Sequence, residues 1–144
     1  MKARTRARGV ALQSLYEIDL VNHPAVQVFE DRLEEEGLDD ELAEFARQIL
    51  FGVLPLREQL DHVIARYAPE WPIDQVAAID RNILRVAVWE FAVKKCTPIK
   101  VAINEAVELA KMFGSDSAPR FVNGVLGSLA ERLNEISQLV RSNE

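Results

Sequence analysis

An all-α fold, one compact domain of about seven helices in two helical groups, is what the sequence predicts, and three observations carry it. Apolar residues recur at three- and four-residue spacing along most of the chain. No segment alternates β-branched and polar residues as a half-buried strand would. All six prolines fall where the helical pattern breaks, and no internal repeat is evident.

The elements follow in order. Ala7, Ala11, Leu15 and Ile18 define a first helix from about Thr5 to Leu20, stopped at Asn22-His23-Pro24. Val26, Phe29 and Leu33 mark a shorter helix ended by Gly37. Leu42, Phe45, Ala46, Ile49, Leu50 and Val53 form a stripe led in by Asp39 or Asp40 as cap, and Leu56, Leu60, Val63, Ile64 and Tyr67 continue it. Pro55 should kink or split that helix, because its ring opposes the preceding turn. The segment "YAPEWP" reads as a loop, after which Asp74 can cap a helix with Val76, Asp80, Ile83, Leu84, Ala87, Val88 and Phe91 on one face.

Lys94 and Lys95 fall in the last turn of that helix, where the dipole favours cations. Thr97-Pro98 reads as an N-cap followed by a first-position proline, opening a helix through Ile99, Ile103, Val107 and Ala110 that Gly114 closes. Ser117 and Pro119 start the last helix, whose stripe runs from Phe121 and Val122 to Ile136 and Val140. Asn123-Gly124 would ordinarily signal a hairpin. The apolar spacing passes straight through it, so Gly124 is expected inside a helix, where a close approach of another helix backbone would explain its cost of about 1 kcal/mol. A groove between the two helical groups is a further expectation.

Composition narrows the function. The chain is 49% hydrophobic and 28% charged, with no apolar run near the ~18 residues of a membrane span. Together with the absence of a signal-peptide pattern, this predicts a cytoplasmic protein. A single cysteine, Cys96, excludes an internal disulfide and a multi-cysteine metal site. Net charge is −6, which argues against a general polyanion binder, but the distribution is uneven. Lys2, Arg4, Arg6 and Arg8 put four cations in the first eight residues, while Glu30 to Glu44 holds nine carboxylates against one arginine. Cations at the positive end of a helix are unfavourable unless an anion arrives from outside.

Catalytic patterns are weak. Glu58 and His62 share a helix face but lack the second histidine of a zincin, and an ordinary polar pair explains them better. Glu105 and Glu108 are three apart, and Lys111 supplies an ion-pair partner for Glu108. No phosphate loop, nucleophile elbow or dinucleotide fingerprint is present. The expectation is a non-enzymatic chain with no cofactor. Nucleic acid fits better: the arginines can hold phosphates, Tyr16 can stack on an unpaired base, and Lys111, Arg120 and Phe121 repeat the pairing of cation with aromatic. Spacing alone favours core packing for Tyr16 and Phe121.

Three blocks, "RARGVALQSLYEIDL", "IDRNILRVAVWE" and above all "TPIKVAINEAVELAKMFGSDSAPRFVNGVL", resemble the NusB family of transcription antitermination factors, in order and over nearly the whole chain. The resemblance implies a single NusB-like domain over 1–144. Its implied partners are single-stranded boxA RNA of nascent ribosomal transcripts, the small-subunit ribosomal protein NusE and the RNA polymerase elongation complex. It further implies RNA contacts by Arg4, Arg6, Arg8, Tyr16, Ser117, Arg120 and Phe121, to which the charge distribution adds Lys2 and Lys111, and a NusE-facing pair, Asp74 and Asp80.

Gly9 stands where family members commonly carry glutamate, which predicts a looser or later first helix. In "SDSAPR" the aspartate sits one place early, so Arg120 and Phe121 carry the expectation there. The alternatives are a protein-binding helical scaffold, including a homodimer, and a targeting domain like that of ribosomal RNA methyltransferases. For the latter, 144 residues leave no length for a cofactor-binding domain.

Overall fold

The structure, a computed structural model, describes residues 2–67 and 75–133. Seven α-helices are present among them: α1 (Ala3–Leu20), α2 (Ala25–Glu36), α3 (Asp40–Val53), α4 (Arg57–Tyr67), α5 (Ala78–Val88), α6 (Ile99–Phe113) and α7 (Ala118–Ala130). No strand occurs among the described residues.

The first helix is central. Ala7, Val10, Ala11, Leu12 and Leu15 are buried, and small residues at Gly9 and Ser14 let neighbours approach from several sides. It packs on α2 and α3, and also on α5 and α6, so it joins the two helical groups. The second centre is α5, buried along most of its length and packed on α4, α6 and α7.

Several local expectations are met by named contacts. Gly37 adopts φ 67° and its N–H donates to the Leu33 carbonyl at 2.9 Å, closing α2 in the left-handed conformation that suits glycine. Asp39 accepts from the Leu42 N–H at 2.9 Å as the cap of α3. Pro55 splits the long stripe: Leu54–Leu56 tightens into a 3-10 turn and α4 begins at once.

Others are corrected. Gly9 neither delays nor loosens α1, which starts at Ala3; it is buried, and a Cβ there would lie 3.5 Å from the Phe113 ring, an ordinary contact. The residue proposed as the cap of α5, Asp74, lies outside the described residues, and the helix begins only at Ala78, leaving Val76 before it. Thr97 is not the cap of α6. Pro98 takes that position, because the Thr97 hydroxyl donates to Glu90 Oε1 at 2.8 Å. The expected continuation of α7 through Ile136 and Val140 lies outside the described residues.

Gly124 is exposed and a Cβ there would meet nothing within 4 Å, so no helix approaches it. The close approach belongs to Gly52 instead, where an added Cβ would sit 2.3 Å from Trp89 Cζ2. Trp89 opens a π-helical turn, Trp89–Val93, that extends α5 and seats the indole on α3. Gly52→Ala should therefore lower stability by about 1–3 kcal/mol through overpacking, while Gly124→Ala should leave stability unchanged or raise it. Chemical denaturation of the two variants checks the contrast.

Candidate nucleic-acid interface

The N-terminal cations divide into three environments. Arg8 is 3% exposed and holds Glu90 with two groups, Nε to Oε2 at 3.0 Å and Nη2 to Oε1 at 2.9 Å, with Glu105 Oε2 3.6 Å from Nη1. It lines a cleft beside Arg4 and Thr97, but its charge is already matched by these carboxylates, which the sequence did not show. Arg6 is half-exposed and spans to α2, donating to the Glu36 carboxylate and carbonyl, each at 2.9 Å. Arg4 is exposed, with its guanidinium carbon 4.7 Å from the centroid of the Phe45 ring.

Lys2, also exposed, stands between two clefts. One, of about 580 Å³, runs along α6 past Thr5, Asn104, Glu105, Glu108, Lys111 and Met112. The other, of about 410 Å³, includes Arg4, Thr97, Pro98 and Val101. Thr5 ties the floor of the first by donating to Glu105 Oε2 at 2.8 Å. Lys111 is exposed and pairs with Glu108 at 3.3 Å, a surface pair of little strength that an incoming anion can displace. Lys2, Arg4 and Lys111 thus lie around one edge where α1 starts beside α6.

The aromatic candidates diverge. Tyr16 is 37% exposed, so its ring is available at the surface. Its place on α1, seven residues after Gly9, puts it near the helix face that Phe113 of α6 touches. Phe121 is half-buried and packs against the core. Arg120 is exposed in the first turn of α7, and Ser117, the exposed residue before that helix, places its hydroxyl 3.3 Å from that of Ser115. Neither α1 nor α7 has an acidic residue in its own first turn or a side-chain cap, although Glu105 brings a carboxylate to the first turn of α1 through Thr5.

Asp80, expected on a partner-facing surface, is nearly buried. It is 8% exposed, its Oδ1 lacks a hydrogen-bond partner, and that oxygen lies 3.1 Å from where a Cβ on Gly114 would be. It points into the junction of α5 with the end of α6. Burial pushes its carboxyl above the ordinary value. A carboxyl whose folded pKa is raised favours the folded state at low pH, and that contribution is lost as pH rises through the folded pKa. Asp80→Asn should therefore raise the melting temperature at pH 7 and shrink the difference between pH 3 and pH 7, as thermal scans at both values would read.

The residue missed from sequence is Glu90, whose signal is a lone carboxylate inside the apolar run "VAVWEFAV". Glu58 and His62 are exposed, and among the described residues no cluster of three metal-ligating side chains occurs. No described helix is long and apolar enough to cross a membrane.

The sequence pattern of the NusB family matches residues 5–131. The chain is similar to the transcription antitermination protein NusB of Roseiflexus castenholzii, 47% identical over 137 residues that cover 94% of this chain and 96% of that one. It is 42% identical to that of Bacillus subtilis, over 94% of this chain and 99% of the relative. Among solved structures, NusB of T. maritima superposes with a TM-score of 0.82 at 31% identity, covering 94% of this chain and 96% of that one. A structure of the antitermination factors NusB and NusE in complex with dsRNA gives 0.83 at 27% identity, covering 92% and 98%.

Proposed function

The chain belongs to the NusB family of transcription antitermination proteins, and from that premise we propose that it binds the boxA element of nascent ribosomal RNA as a single strand, together with NusE. The complex acts on the elongating RNA polymerase to oppose termination. In this reading the protein works as one cytoplasmic domain that carries out no catalysis.

The observation that carries the proposal is the edge formed by Lys2, Arg4 and Lys111, with exposed Tyr16 farther along α1. Phosphates fall to the cations and an unpaired base to the tyrosine ring. Arg120 and Ser117 extend the edge at the start of α7; Arg6 joins it by exchanging Glu36 for phosphate. Arg8 serves from beneath by fixing α1, and Phe121 by seating α7. Partial use of so few cations keeps the affinity of the protein alone low. A basic partner docked on the acidic remainder of the surface raises it. Asp74, the other residue assigned to that partner, lies outside the described residues.

Titration of a labelled boxA strand, with a scrambled strand and a boxA duplex as comparisons, tests this. Binding should be weak alone, distinctly tighter with NusE, and strongest for the single-stranded boxA. Tyr16→Ala should weaken it by about 1–3 kcal/mol with the melting temperature nearly preserved. Equal affinity for boxA and the scrambled strand, with and without NusE, refutes the proposal.

A further inference from the structure

Two guanidinium groups share one ring. The centroid of Phe45 lies 4.7 Å from the Arg4 guanidinium carbon and 5.1 Å from that of Arg8. The apolar stripe of α3 requires only a hydrophobic residue at position 45; Leu42 and Ile49 satisfy the same stripe without a ring. What an aromatic adds is a negative face for cations.

The two arginines stand four apart on α1, a spacing at which like charges repel. Arg8 is immobilised by Glu90, so the ring is set from below by a fixed, buried group, and Phe45 itself packs against the core. Arg4 is the outward member of the pair. A free arginine side chain loses about 2 kcal/mol of rotamer freedom when it is ordered. Resting on Phe45 before RNA arrives, Arg4 has already given up part of that freedom, and the guanidinium is held at the rim of the cleft it shares with Lys2.

We infer that Phe45 is a positioning residue for RNA recognition, a platform between buried Arg8 and exposed Arg4 that holds the Arg4 guanidinium ready for a phosphate or an unpaired base. This rests on the reading that the start of α1 meets RNA. The ring touches no RNA itself; its contribution passes through Arg4 alone.

The test uses the full chain with NusE and the boxA strand, comparing wild type with Phe45→Leu, Phe45→Tyr, Arg4→Ala and the Arg4→Ala/Phe45→Leu pair. Phe45→Leu should weaken binding about two- to fivefold. Phe45→Tyr, which keeps the ring, should bind as wild type does, and Phe45→Leu should add nothing in the Arg4→Ala background. Should Phe45→Leu fail to fold, the wild-type protein still decides: proton resonances of the Arg4 side chain should show ring-current shifts, and their absence overturns the inference. Unchanged or tighter binding by folded Phe45→Leu, or an equal loss with Arg4 removed, also overturns it while leaving the placement of RNA intact. Wild-type affinity in Arg4→Ala refutes that placement itself.

Discussion

Replacing Glu90 by alanine should cost about 3–5 kcal/mol of folding stability, a large part of what a domain of this size has to lose. The substitution leaves the Arg8 guanidinium, 3% exposed, without the carboxylate that receives two of its nitrogens. Glu105 at 3.6 Å and the Phe45 ring replace only part of that interaction. Thr97 loses its acceptor in the same step, which frees the chain entering α6. Denaturant melts of Glu90→Ala against Glu90→Gln separate the terms, since the amide keeps the shape and one acceptor but removes the charge. RNA binding should fall in both, because the clefts on either side of Lys2 are framed by α1 and α6, the two elements that Arg8 ties together.

Asp19→Ala should cost about 3 kcal/mol and make the protein less sensitive to acid. Asp19 sits near the end of α1 and gathers Arg57 at 3.1 Å, Arg85 at 2.7 Å and the Asn82 amide at 3.0 Å, with Arg81 at 3.6 Å. Arg85 keeps a second partner, Asp61, through bonds of 2.7 and 2.6 Å, which holds the loss toward the lower end of the range. Burial alone would raise the Asp19 carboxyl, but the bonds from Asn82, Arg85 and Arg57 outweigh it and hold the group below its ordinary value of 3.8. A depressed folded pKa contributes stability that is fully present above the unfolded value and lost as pH falls through the folded one. Wild type should thus lose more stability than Asp19→Ala between pH 5 and pH 2, which acid titration of the unfolding transition measures.

The helices were legible in the sequence because burial on one side of a helix leaves a 3.6-residue signature. Gly37, Asp39 and Pro55 marked boundaries because each acts through its own backbone or a neighbour within one turn. What escaped were contacts between residues far apart in the chain. Arg8 looked like a phosphate ligand, since nothing near it in sequence offers a counter-charge; its partner is 82 residues away. Asp80 was assigned to a partner surface by resemblance, although the periodicity of α5 already put it on the apolar face, where it lies beside Gly114 at the end of α6. Gly124 attracted attention as a glycine inside a helix, yet the glycine with a packing role is Gly52, whose reason is an indole on another helix. Lys2, Arg4 and Lys111 were legible as candidates because exposed cations are visible as such. The cleft between Lys2 and Lys111 was not, since it exists only where two helices meet.

The position of α1 bears on how the chain reaches its native state. The helix that joins the two helical groups comes first in sequence, and its buried cation waits on a carboxylate at the far end of α5. During synthesis α1 leaves the ribosome well before α5 and α6, so it can form local turns but not its core. The amphipathic α3 can collect it early, and closure waits until the chain has passed Thr97. Long-range pairing of this kind slows folding by comparison with a bundle of neighbouring hairpins. The same order places the segment that carries Lys2 and Arg4 among the first to emerge and the last to be locked in place.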